Sequence, residues 1–123
     1  MSRAERTILT VEDSELIRYQ IAELLRENGF RVLEAGDGDS GLALAREHKP
    51  SLILLDVVMP GRNGFQTFRA LRDDPDLKAT PVVFITSKDQ SCDRDYAERH
   101  GAAAYLTKPV DLGLLLECAE RFA

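Results

Sequence analysis

The chain has 123 residues, 44% of them apolar and 30% charged, with a formal net charge of −5 and a pI of about 5.0. That is enough chain for one domain around one core, with the composition of an ordinary globular protein. It excludes a membrane helix, since no apolar stretch approaches the roughly 20 residues required, and the acidic balance without a basic stripe argues against nucleic-acid binding.

The start, Met1-Ser2-Arg3-Ala4-Glu5-Arg6, lacks the apolar core of a signal peptide. Residues 7–11 read as a first strand whose apolar run, Ile8-Leu9-Thr10-Val11, ends in two acids, Glu12 and Asp13. Ser14 is placed to cap a helix with Ile17, Ile21, Leu24 and Leu25 at helical spacing. Asn28-Gly29 stops it. Arg31 to Ala35 is a short second strand, and Ser40 to His48 a second helix with Leu42, Ala43, Leu44 and Ala45 as its apolar part.

Residues 52–56 form the third strand, Leu52-Ile53-Leu54-Leu55 followed by Asp56. A run that apolar is buried on both faces, as in a parallel sheet. Asn63-Gly64 opens a third helix carrying Phe65, Phe68 and Leu71, and Asp73-Asp74-Pro75-Asp76 breaks it. Pro81 to Thr86 is the fourth strand, with proline tolerated at its first position. Gln90 to His100 is a fourth helix ended by Gly101; it is poor in large apolar residues apart from Tyr96, hence weakly anchored. Residues 104–107 form the fifth strand, followed by Lys108-Pro109. Asp111 caps a last helix in which Leu112, Leu115, Ala119 and Phe122 share one face.

Five strand–helix units in this length imply a single α/β domain over residues 1–123 with a doubly wound parallel sheet. Such folds place their sites at the carboxyl ends of the strands. Three carboxylates (Glu12, Asp13, Asp56) and Lys108 all fall at strand ends, a pattern that suits a divalent cation and a phosphoryl group.

Those residues carry a resemblance. Glu12-Asp13, Asp56-x-x-Met59-Pro60-x-x-x-Gly64, Thr86 and Lys108-Pro109, in this order and each at a strand end, resemble the CheY-like response-regulator receiver domain over essentially the full length. The resemblance carries a flavodoxin-like strand order, 2-1-3-4-5. Within the family the chain is most similar to single-domain, PilH-type receivers of type IV pilus twitching-motility systems. The stretches behind this are Val58-Met59-Pro60-Gly61-Arg62-Asn63-Gly64-Phe65-Gln66, Thr86-Ser87-Lys88-Asp89-Gln90 and Tyr105-Leu106-Thr107-Lys108-Pro109-Val110-Asp111.

The resemblance implies phosphorylation of Asp56 by a histidine kinase with Mg2+. Asp13, Asp56 and the backbone carbonyl of Val58 would hold the ion, with Glu12 acting directly or through water. Lys108 and Thr86 would contact the phosphoryl group. Thr86 would then be drawn toward it and Tyr105, the switch aromatic, would rotate inward. A downstream protein would read a face made by helix four, strand five and helix five. Such a domain is expected to be cytoplasmic and monomeric, and to have no catalytic output. The chain ends with its last helix; if it is full length, it signals by protein contact or drains phosphoryl groups as a sink.

Two departures bear on this. The first acid is glutamate where aspartate is commoner, which shifts a water rather than abolishing metal binding. Val58 and Lys88 occupy positions that in the family govern attack of water on the acyl phosphate; Val58 cannot orient a water, so self-dephosphorylation is expected not to be fast. Other readings stay open: a chemotaxis or phosphorelay receiver, or a receiver fragment of a larger regulator. An aspartyl-phosphate hydrolase would want an acid where Val58 stands. A flavin-binding electron carrier would want a glycine- and hydroxyl-rich loop where Glu12-Asp13-Ser14-Glu15 stands.

Simpler readings accompany the sharp ones. Asp13 could assist Ser14 as a cap, and Tyr105 could be a plain half-buried aromatic. His48 and His100 lie near helix C-termini, where a cation is favoured by the dipole. Cys92 and Cys118 form no metal spacing and read as a helix-surface and a core-edge residue in a reduced setting. Leu114 and Leu116 flank the buried face of the last helix.

Overall fold

The computed structural model describes residues 6–59, 61, 63–87 and 91–123, the side chains of Ser91 and Cys92 excepted. Met1 to Glu5, Pro60, Arg62, Lys88, Asp89, Gln90 and the side chain of Cys92, on which some sequence expectations fall, lie outside the described residues.

Strands β1 (Thr7–Val11), β2 (Arg31–Ala35), β3 (Leu52–Leu55), β4 (Val82–Thr86) and β5 (Ala104–Thr107) alternate with helices α1 (Glu15–Glu27), α2 (Gly38–His48), α3 (Gly64–Asp73), α4 (Ser91–Arg99) and α5 (Leu112–Phe122). The strands are all parallel and form one sheet in the order β2-β1-β3-β4-β5, the order the resemblance implies. The central strands β3 and β4 are buried at every residue, as their unbroken apolar sequences require.

Side chains alternate across the sheet. Leu9, Val11, Ile53, Leu55, Val82 and Phe84 pack with α2, α3 and α4 residues on one face. Ile8, Leu52, Leu54, Val83 and Ile85 pack with Ile21 and Leu25 of α1 and with Leu115 and Ala119 of α5 on the other. Phe84 is the centre of the first face: its ring lies 5.4 Å from Phe65, 5.1 Å from Phe68 and 5.8 Å from Tyr105.

Capping follows the sequence closely. Ser14 Oγ accepts from Ile17 N at 3.3 Å, and Asp111 accepts from Leu114 N at 3.0 Å. Asn63 and Gln66 form a reciprocal capping box at the start of α3. Gly29 (φ 91) and Gly101 (φ 86) take the left-handed conformation after α1 and α4.

Two expectations are corrected. Helix α2 begins at Gly38, not Ser40, because Asp37 is its cap and accepts from Ser40 N at 2.8 Å. Gly38, ahead of the expected start, is part of the helix. Within it, a Cβ on Gly41 would stand 2.8 Å from Val11 Cγ2, so the glycine lets α2 close on β1. On α5, Leu112 leaves the buried stripe. It is 43% exposed and lines a groove with Ile17 and Val110, while Leu115, Cys118 and Ala119 face the sheet.

Phe84→Ala removes the ring that three aromatic neighbours share. The expected cost is about 3–5 kcal/mol, read as a fall in the urea midpoint with an unchanged m-value.

Candidate functional site

The strand order brings the carboxyl ends of β1, β3, β4 and β5 side by side. Val11 pairs with Leu55, so the residues that follow them, Glu12 and Asp56, are neighbours. The ladder carries on past the strand: Asp56 N donates to Val11 O at 3.1 Å. Thr86 closes β4 and is fully buried. Lys108, just past β5, donates its N–H to Thr86 O at 2.9 Å, and its peptide bond to Pro109 is cis.

From there the Lys108 side chain reaches back across the edge. Its Nζ lies 2.9 Å from Asp56 Oδ2 and is also paired with Glu12 Oε1. Glu12 and Asp56 are only 3% and 4% exposed, so the ammonium meets two desolvated carboxylates. Their other oxygens are engaged by backbone: Glu12 Oε2 accepts from Ser14 N and Asp56 Oδ1 from Val58 N, each at 3.2 Å. Asp13 is exposed beside them, and Val58 is an exposed apolar side chain on the rim.

The charges explain the protonation behaviour. Burial pushes the Glu12 carboxyl up to about 7; Lys108 pulls it down and the Asp56 charge adds to the rise. Burial works against the charge on Lys108, but hydrogen bonds and attraction from Glu12 and Asp56 outweigh it and hold its pKa above the ordinary lysine value.

Glu12, Asp13 and Asp56 each offer an oxygen within 4.8 Å of the others. Three carboxylates with no histidine or cysteine among the described residues of the group form a hard, oxygen-only donor set. That set fits magnesium or calcium and not a thiolate- or imidazole-seeking metal.

Of the residues singled out in the sequence, Glu12, Asp13, Asp56 and Lys108 converge, with Thr86 and Val58 on the adjoining strand and loop. Tyr105 pairs with Phe84 in the ladder, two residues before Thr86 on β4. It is 7% exposed, a buried ring rather than a half-buried one. Cys118 is buried on α5, and burial, then the Glu117 charge, push its thiol up. His48 is in the last turn of α2 and His100 stacks on Tyr96 at 4.2 Å, both away from the site.

One residue, Arg18, escaped the sequence reading, and another, Gly64, was read without its reason. Arg18 donates to Glu12 O at 2.7 Å and pairs with Glu34 at 3.5 Å, pinning the end of β1 to α1 and β2. In the sequence it is one more helix cation. Gly64 belongs to the motif, but its reason is spatial: a Cβ there would lie 2.1 Å from Asp56 O. Only glycine lets α3 start against the backbone of Asp56.

Comparison with known proteins bears on the family and the fold. The sequence model of the response regulator receiver domain matches residues 8–120. The chain is 47% identical over 110 residues to Protein PilH of Pseudomonas aeruginosa, covering 89% of this chain and 91% of that one. It is 40% identical over 119 residues to the transcriptional regulatory protein PdtaR of Mycobacterium tuberculosis, covering 94% of this chain but 55% of that protein. The chemotaxis protein CheY4 of Vibrio cholerae superposes with a TM-score of 0.89 at 30% identity, over 96% of this chain and 98% of that one.

The raised Glu12 pKa has a measurable consequence in metal-free protein. Its carboxyl carbon should titrate near pH 7 by NMR, and Glu12→Gln should remove that titration. Because the folded pKa lies above the ordinary 4.5, the native state holds this proton more tightly than the unfolded chain. The contribution of Glu12 to stability is therefore full below about 4.5 and lost as pH rises through about 7, a decline absent from Glu12→Gln. A Glu12 titration in the ordinary carboxylate range would contradict this account of the site.

Proposed function

The chain belongs to the response regulator receiver domain family, and from that membership we propose that it takes a phosphoryl group from a histidine kinase onto Asp56 and signals by protein contact. One observation carries the reading: a nearly buried carboxylate, Asp56, has an ammonium at 2.9 Å and two further carboxylates beside it at the sheet edge.

A carboxylate oxygen of Asp56 attacks phosphorus of a phosphohistidine. The P–O bond forms, the P–N bond breaks, and its electron pair returns to the imidazole. Lys108 exchanges part of its pairing with Asp56 for the phosphoryl oxygens, where it acts as a point charge. The Thr86 hydroxyl donates to the same group. Glu12, Asp13, Asp56 and the Val58 carbonyl are the groups that would hold Mg2+, which when bound neutralises charge on the transferring phosphoryl oxygens.

Phosphorylation then draws Thr86 toward the phosphoryl group and favours the inward Tyr105 ring, which is already the position seen here, and through them biases the face formed by α4, β5 and α5, on which a downstream protein docks. The domain spans 1–123, acts as a cytoplasmic monomer and has no catalytic output of its own. No helix among the described residues is long and apolar enough to cross a membrane. Type IV pilus twitching motility is the proposed setting, supported by the identity to Protein PilH over most of both chains.

The test is intact mass after incubation with Mg2+ and phosphoramidate. The expected result is a gain of one phosphoryl group that needs the ion and is absent in Asp56→Asn. A gain that persists in Asp56→Asn would move the acceptor elsewhere. A second outcome concerns lifetime: Val58, apolar and 55% exposed, offers nothing to orient water at the acyl phosphate. The phosphorylated form should therefore decay over minutes or longer, and decay within seconds would count against the assignment at Val58.

A further inference from the structure

Helix α4 is the least conventionally held helix of the fold. Its buried apolar contribution among the described side chains is Ala97. Tyr96 meets α3 from the outside, with its ring 5.0 Å from Phe65 and its hydroxyl accepting from Arg69 at 3.2 Å. Among the described side chains, the hydrogen bond to β5 is made by Arg94. Its guanidinium donates to Tyr105 O at 3.1 Å and lies over the Tyr105 ring at 4.8 Å from the centroid.

These two contacts depend differently on the tyrosine. The carbonyl bond reads only the backbone of β5 and survives any rotation of the ring. The stacking contact reads the ring itself, and it is made here with the ring inward, 7% exposed. The guanidinium is thus held in place by the strand and favours the buried rotamer of the side chain above that carbonyl. A planar, delocalised cation can do both at once; an ammonium offers a point charge without the stacking plane.

We propose that Arg94 is a positioning residue that holds the Tyr105 ring buried and couples α4 to β5. The contact stands on its own geometry; its regulatory meaning rests on the switch described under the proposed function. A cation–π contact of ordinary strength changes a rotamer population roughly two- to thirty-fold, enough to set the resting bias of a two-state face.

The test is 19F NMR of the full chain labelled with 3-fluorotyrosine, the Tyr105 resonance being identified by its loss in Tyr105→Phe. In the wild type that resonance should be shielded from solvent. In Arg94→Ala it should gain solvent sensitivity, with the buried population reduced roughly two- to thirty-fold relative to the exposed one. Arg94→Lys should restore burial only in part. Arg94→Gln puts an uncharged amide in place of the guanidinium, and should resemble Arg94→Ala. An unchanged, shielded Tyr105 signal in folded Arg94→Ala or Arg94→Gln overturns the proposal. Phosphorylation of Asp56 is read separately by mass, so its failure would sink the phosphotransfer reading and leave the clamp result standing.

Discussion

The site depends on one interaction, the Lys108 ammonium set between Glu12 and Asp56. Two nearly buried carboxylates this close repel each other and lose water, and either effect alone favours the protonated acid. A cation from a different strand works against both effects, and burial still leaves the Glu12 carboxyl raised to about 7. Its position is itself a product of the sheet: Lys108 hangs from the carbonyl of Thr86 on β4, and β4 stands between it and the two acids' strands. Change the strand order and the same residues would sit at opposite ends of the edge.

Around that interaction the backbone is drawn tight. Gly64 lets α3 begin against the carbonyl of Asp56, and Arg18 holds the carbonyl of Glu12. A charged site built on strand ends keeps its geometry because the strands behind it are packed on both faces. Its acids are therefore placed by the core, while the protonation of Glu12 is set by burial, by Lys108 and by Asp56.

The opposite end of the fold's stability range is α4. Helices α1 and α5 put Ile21, Leu25, Leu115 and Ala119 into the core, whereas α4, among its described side chains, puts in Ala97 and is otherwise held by an outer aromatic contact, a tyrosine–arginine bond and Arg94. Elements held by few buried apolar contacts are those that open at low free-energy cost. A rigid charged edge beside a lightly held helix is the division of labour that the proposed switch needs. The poverty of large apolar residues in 91–99 already pointed there.

Local chemistry was legible from residue order because it depends on short range. The strand–helix alternation, the Ser14, Asn63 and Asp111 caps and the placement of acids and lysine at strand ends all follow from period, capping and run length. Helix α2 starts at Gly38 rather than Ser40; Gly38 looks like a breaker until Asp37 is seen capping the helix at Ser40 N. Leu112 shares the apolar stripe of α5 yet faces a groove, since a stripe says which side of a helix is apolar and not where the sheet ends. Arg18 and Arg94 were ordinary helix cations until the fold put a carbonyl and an aromatic ring within reach. The sequence by itself determined the elements, the parallel sheet and the inventory of charged strand ends, because these are properties of neighbours along the chain. Only the tertiary structure decided which oxygen meets which nitrogen, how far Glu12 is pushed toward neutrality and which cation lies on Tyr105, because those depend on distances between residues remote in sequence.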